Sequence, residues 1–130
     1  MSPKKILVVD DDPSIREILS IQLTRLGYEV TTADDGVEAV AAFKSSPPDA
    51  ILLDLMMPRL DGLASCQQIR AAEKKAGIKR TPILFLTARD STHDKTSAAL
   101  SGGDEFVAKP VSIQELRERL EALFLKKGKP

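Results

Sequence analysis

Tryptophan is absent from this chain, tyrosine occurs once, and cysteine and histidine are represented by one residue each, Cys66 and His93. A single cysteine excludes an internal disulfide framework and any multi-cysteine zinc site. A single histidine leaves little material for a catalytic triad or a His-rich metal site. No apolar run approaches the ~20 residues that span a bilayer. The four apolar residues Ile6–Val9 before Asp10-Asp11-Asp12 are too few for the core of a signal peptide. An excess of charge is lacking too: 19 Lys and Arg stand against 19 Asp and Glu. That balance argues against a dedicated binder of nucleic acid or of a membrane surface. What remains is 130 residues, 42% apolar and 29% charged. Such a chain fits one domain, expected in the cytoplasm, whose chemistry rests mainly on carboxylates.

The even balance hides an asymmetry. Residues 1–64 carry 6 basic and 11 acidic side chains, residues 65–130 carry 13 and 8. The acids of the first half gather at a few points, and the order of the chain explains where.

Short apolar runs alternate with segments of helical period, the pattern of an α/β domain with a parallel sheet. Ile6–Val9, Ala50–Leu53 and Pro82–Leu86 read as buried strands, Tyr28–Ala33 and Glu105–Ala108 as shorter ones. Helices are expected between them. The first carries Ile15, Ile18, Leu19, Leu23 and Leu26 up to Gly27, and opens with a Ser14…Glu17 capping box or with Asp12 as cap. The second carries Val37, Val40 and Phe43, and the third Leu63, Cys66 and Ile69 after an Asp61-Gly62 turn. A short fourth ends near Gly102-Gly103, and a fifth opens with Ser112…Glu115. The order is (βα)5, with the domain drawn over residues 1–125 and a short basic tail or linker stub over 126–130. Cys66 reads as a small core residue, and His93 as part of a polar loop. Arg70, Lys74, Lys75, Lys79 and Arg80 read as a solvated basic face.

In an open parallel sheet, ligands bind outside the carboxyl ends of the strands. Those ends hold Asp10 and Asp11, then Asp54, Thr87 and Lys109. Two carboxylates ~5 Å apart repel by about 3 kcal/mol at an effective dielectric near 20, so three of them call for a cation. Oxygen-only ligands in an incomplete cage favour Mg²⁺, with Mn²⁺ as a substitute. Lys109 can neutralise a phosphoryl oxygen and Thr87 can donate a hydrogen bond to another. A carboxylate beside Mg²⁺ and a lysine is equipped to attack phosphorus and become an aspartyl phosphate.

Four motifs in this order, Ile6-Leu-Val-Val-Asp-Asp-Asp-Pro13, Leu53-Asp-Leu-Met-Met-Pro58 with Asp61-Gly62, Leu86-Thr-Ala88 and Phe106-Val-Ala-Lys-Pro110, cover most of the chain. They resemble the receiver domains of response regulators in two-component phosphorelays. The resemblance implies a flavodoxin-like three-layer sandwich with a five-stranded sheet of order 2-1-3-4-5. It implies Asp54 as phospho-acceptor, Asp11 as direct metal ligand, Asp10 as its acidic neighbour, and the Met56 carbonyl as a further ligand. Thr87 and Phe106 would form the switch, Ala88 would keep access to Asp54 open, and Lys109 would contact the phosphoryl group ahead of a cis peptide to Pro110. Phe106 stands where many members have tyrosine, so an inward switch would act by packing alone.

The implied partners are a sensor histidine kinase or histidine phosphotransfer protein and a downstream effector or output domain. Neither nucleic-acid contact nor membrane insertion by this domain is expected, and the chain would be a monomer or a weak phosphorylation-dependent dimer. The partner surface would be helix 4, strand 5 and helix 5, around Lys95, Leu100, Phe106 and Arg117. Met56 and Arg89, each two residues after a site residue, would tune dephosphorylation. Met offers no useful hydrogen bond and Arg has donors only, so hydrolysis should be slow. A phosphatase using Asp-x-Asp would need a second acid where Met56 stands. A flavodoxin would need a Ser/Thr/Gly-rich phosphate loop where Asp10-Asp11-Asp12 stands.

Overall fold

The structure is a computed structural model and describes residues 3–127. Five strands, β1 (Lys5–Val9), β2 (Glu29–Ala33), β3 (Ala50–Leu53), β4 (Ile83–Thr87) and β5 (Glu105–Ala108), alternate with five helices. These are α1 (Pro13–Arg25), α2 (Gly36–Ser45), α3 (Gly62–Ala76), α4 (Thr92–Ser101) and α5 (Ile113–Lys127). The sheet order is β2-β1-β3-β4-β5 and every pairing is parallel, as expected of a flavodoxin-like fold. α5 runs two residues past the boundary at 125; residues 128–130 of the expected tail lie outside the described residues.

The wholly apolar strands are apolar because both faces of the sheet are covered, and alternate residues serve opposite layers. Leu7, Val9, Ile51, Leu53, Ile83 and Phe85 pack with Phe43, Cys66 and Ile69 of α2 and α3. Ile6, Val8, Leu52, Leu84 and Leu86 pack with Leu19 and Leu23 of α1 and Leu116 and Leu120 of α5.

The helix ends differ from expectation in instructive ways. Asp12 caps α1 by accepting the Ser14 N–H at 2.8 Å, so Ser14 and Glu17 form no box. Ile18 and Val37 share the helical period of their apolar neighbours but lie on solvent flanks of their helices, 55% and 45% exposed. His93 belongs to the first turn of α4, whose cap is a reciprocal Ser91–Asp94 box.

Arg70 is the clearest departure from a solvated basic face. Its guanidinium donates to the Gly102 carbonyl through Nε at 2.9 Å and Nη2 at 2.8 Å, and to the Thr81 carbonyl at 2.7 Å. Buried Glu73 and exposed Asp104 complete its partners, and Arg80 joins the same Gly102 carbonyl at 2.8 Å. Two cations on the carbonyl of the residue that caps the C-terminus of α4 suit the negative end of a helix. α4 buries only Asp94, Ala98 and Ser101, so this clamp stands in for the apolar anchors the helix lacks.

Candidate functional site

Register brings the site together. β1 and β3 stop on the same rung, Val9 opposite Leu53, and the Asp54 N–H donates to the Val9 carbonyl at 3.1 Å. Asp10 and Asp54 therefore leave the sheet side by side. β4 and β5 end as Thr87 opposite Ala108, and the Lys109 N–H donates to the Thr87 carbonyl at 2.8 Å. That pairing aims Lys109 back across the strand ends, ahead of a cis peptide to Pro110.

The Lys109 ammonium lies 2.6 Å from Asp10 Oδ2 and 3.3 Å from Asp54 Oδ2. Asp10 and Asp54 are buried and Asp11 is exposed, and carboxylate oxygens of all three lie within 4.8 Å of one another. Burial pushes the Asp10 carboxyl up; the Lys109 and Asp12 donors pull it back only in part, and Asp54 adds to the rise. Burial works against the Lys109 charge, yet Asp10 and Asp54 together outweigh it and hold the ammonium above its ordinary range. Hard oxygen donors so close, with one carboxylate open to solvent, suit a divalent ion such as Mg²⁺ or Mn²⁺.

Of the remaining expected residues, Thr87 and Met56 adjoin this centre, and Phe106 sits two rungs inside the sheet. Thr87 is buried, its Oγ1 accepting the Arg89 N–H at 3.3 Å, and Ala88 is exposed. Met56 is 55% exposed, and its N–H donates to Asp54 Oδ1 at 3.4 Å. Phe106 is half-buried against the α2–α3 side of the core. Asp12 and Asp61 are helix caps, the latter accepting the Ala64 N–H at 2.8 Å.

Three contributors were not anticipated. Arg16 donates to the Asp10 carbonyl at 2.6 Å and pairs with Asp34 at 3.3 Å, tying α1 to the acid loop. Gly62 lies against the Asp54 backbone: a Cβ there would sit 2.1 Å from the Asp54 carbonyl oxygen. Asp94 pairs with Arg89 at 3.0 Å. The Ser-x-x-Asp spacing at Ser91 was the one local signal for Asp94; the Arg16 contact had none.

The family profile described as "Response regulator receiver domain" matches residues 6–121. "Response regulator MprA" of Mycobacterium sp. (strain KMS) is 46% identical over 121 residues, 93% of this chain and 50% of that protein. Its namesake in Mycobacterium tuberculosis (strain ATCC 25177 / H37Ra) is 46% identical over 126 residues, covering 97% and 52%. The chain thus spans about half the length of the curated relatives it matches. Among solved structures, the Vibrio cholerae chemotaxis protein CheY4 superposes with a TM-score of 0.84 at 34% identity, over 92% of this chain and 98% of that one. The receiver domain of the Pseudomonas aeruginosa sensor histidine kinase PA1611, described with a magnesium ion coordinated in its active site cleft, gives 0.85 at 34%, over 94% and 98%. With the fold, the strand-end carboxylates and nearly the whole sequence in agreement, the chain belongs to the response regulator receiver domain family.

Proposed function

We propose that this receiver works as a cytoplasmic switch in which Asp54 takes a phosphoryl group from a histidine kinase or histidine phosphotransfer protein. The observation that carries the reading is the placement of Lys109, within 3.3 Å of the Asp54 carboxylate while resting on Asp10. An Asp54 oxygen forms the new bond to phosphorus as the P–N bond to the donor imidazole breaks, its electron pair staying on nitrogen. Lys109 then neutralises a phosphoryl oxygen and Thr87 donates its hydroxyl hydrogen to another. Asp10, Asp11, Asp54 and the Met56 carbonyl would hold Mg²⁺, or Mn²⁺ in its place. When bound, the ion offsets the charge of the carboxylates and of the incoming phosphoryl group.

The output follows from what Thr87 and Phe106 touch. Inward movement of Thr87 would open room for Phe106, whose half-buried ring borders the α4–β5 crevice also lined by Lys95 and Ala99. Leu100 is 82% exposed on α4, an apolar anchor for an effector or output domain, and Arg117 lies on α5. The chain catalyses only its own phosphorylation and slow dephosphorylation in this reading. It acts as a monomer or as a weak dimer formed on phosphorylation, without touching nucleic acid or membrane.

Intact-protein mass spectrometry after acetyl phosphate treatment tests the acceptor: phosphorylation should require Mg²⁺ or Mn²⁺ and vanish in Asp54→Asn. Stoichiometric phosphorylation of that variant would refute the assignment. Binding of beryllofluoride, a phosphoryl analogue, should shift backbone NMR signals of α4, β5 and α5 more than those of α1.

A further inference from the structure

Arg89 sits at the mouth of the acceptor site, but it is held. Its Nη1 donates to the Met56 sulfur at 3.0 Å, and its Nη2 pairs with Asp94 Oδ1 at 3.0 Å. The other Asp94 oxygen accepts from the Ser91 hydroxyl at 2.7 Å and from the Ser91 N–H at 3.3 Å. One buried carboxylate therefore caps α4 and holds a guanidinium whose side chain is half open to solvent. The chain of contacts continues inward, because the Met56 N–H touches the Asp54 carboxylate. Beside it a groove of about 130 Å³, lined in part by Leu55, Leu63 and His93, gives the guanidinium room to turn.

Resting on the reading of Asp54 as phospho-acceptor, we propose that Asp94 is a positioning residue that withholds Arg89 from the phosphoryl group. A guanidinium carries donors only and matches phosphate oxygens in pairs. A half-exposed ion pair is weak, so a phosphoryl dianion competes well for the same cation. Because Asp94 belongs to α4, a partner that pulls on the N-terminal end of that helix also sets how free Arg89 is. The acceptor chemistry and the partner helix then share one side chain.

The initial rate of Asp54 phosphorylation by acetyl phosphate at saturating Mg²⁺ tests this; the acceptor oxygen bonds to phosphorus as acetate leaves with the electron pair. Asp94→Asn should accelerate the reaction at least threefold. Asp94→Glu keeps both the carboxylate and a Ser-x-x-Glu capping box and should return the wild-type rate. Ser91→Ala weakens the cap while keeping the carboxylate, and should leave the rate unchanged. In an Arg89→Ala background the Asp94→Asn acceleration should disappear. An acceleration that persists without Arg89, or none at all, overturns the proposal. The unaltered protein offers a second reading: beryllofluoride with Mg²⁺ should shift the Arg89 guanidinium NMR signal and leave that of Arg70 in place. An unmoved Arg89 signal refutes the proposal, whereas failure of the wild type to be phosphorylated at all refutes the reading beneath it.

Discussion

Lys109 and Asp10, 99 residues apart in sequence, are joined at 2.6 Å, closer than Lys109 is to Asp54. The ammonium thus stabilises the buried acid with no other cation present. Lys109→Ala leaves Asp10 without its cation and should cost about 1–3 kcal/mol in metal-free buffer. Mg²⁺ should recover much of that loss, because ion and lysine offset the same charge. Urea unfolding with and without Mg²⁺ measures both effects; a variant as stable as the wild type in the absence of metal would contradict the pairing.

Gly62 should tolerate no side chain. Its would-be Cβ meets backbone atoms, the Asp54 oxygen at 2.1 Å and Leu55 Cα at 2.9 Å, and backbone cannot swing aside. Gly62→Ala is expected to lower stability by about 1–3 kcal/mol and to slow phosphorylation of Asp54 as the acceptor is displaced. Chemical denaturation together with the phosphorylation rate checks it; a variant unchanged in both means that Gly62 and the Asp54 backbone do not pack this closely.

Asp35 caps α2, accepting the Glu38 N–H at 2.9 Å and Arg59 Nε at 2.7 Å. That backbone N–H first, and Arg59 after it, hold its carboxyl below the ordinary value. The folded state therefore binds fewer protons at this group, so its contribution is complete above the unfolded pKa and is lost as pH falls through the folded one. Asp35→Asn keeps a good cap but cannot titrate. The wild type should exceed the variant in stability near neutrality and lose that lead below about pH 4. Equal gaps between their urea midpoints at neutral and acid pH would count against the pairing.

The lifetime of the phosphoryl group should be long. Met56 offers an apolar cover whose sulfur already accepts from Arg89, and neither side chain can take a proton from an attacking water. Met56→Asn with Arg89→Glu should quicken phosphate release about tenfold, ~1.4 kcal/mol of barrier. Because the two residues touch, the single variants should not add up to the double. Release from the purified phosphoprotein decides it, and an unaltered rate in the double variant would remove both positions from consideration.

The acidic edge was legible in the sequence because a buried parallel strand must stay apolar on both faces, so Asp10, Asp54 and Thr87 announce where each strand leaves the core. Helix flanks were less legible. Ile18 and Val37 obey helical period, but period alone does not say how wide a stripe the sheet covers. Arg70 was misread because a run of cations looks solvated until its acceptors are known, and its chief acceptor, the Gly102 carbonyl, is 32 residues away. The Arg16 contact with the Asp10 backbone was hidden for a related reason: a carbonyl has no letter in the sequence.

The Arg70 and Arg80 clamp on Gly102 makes α4 a lever with a fixed fulcrum. The helix has 10 residues, an arm of about 15 Å at 1.5 Å per residue. A tilt of about 5° around the clamped end barely moves Gly102, yet it carries Asp94, about 12 Å along the axis, through about 1 Å. That is enough to pull a 3.0 Å contact apart. Any tilt of α4 is thereby magnified where Asp94 stands, while the far end of the helix keeps its place in the fold.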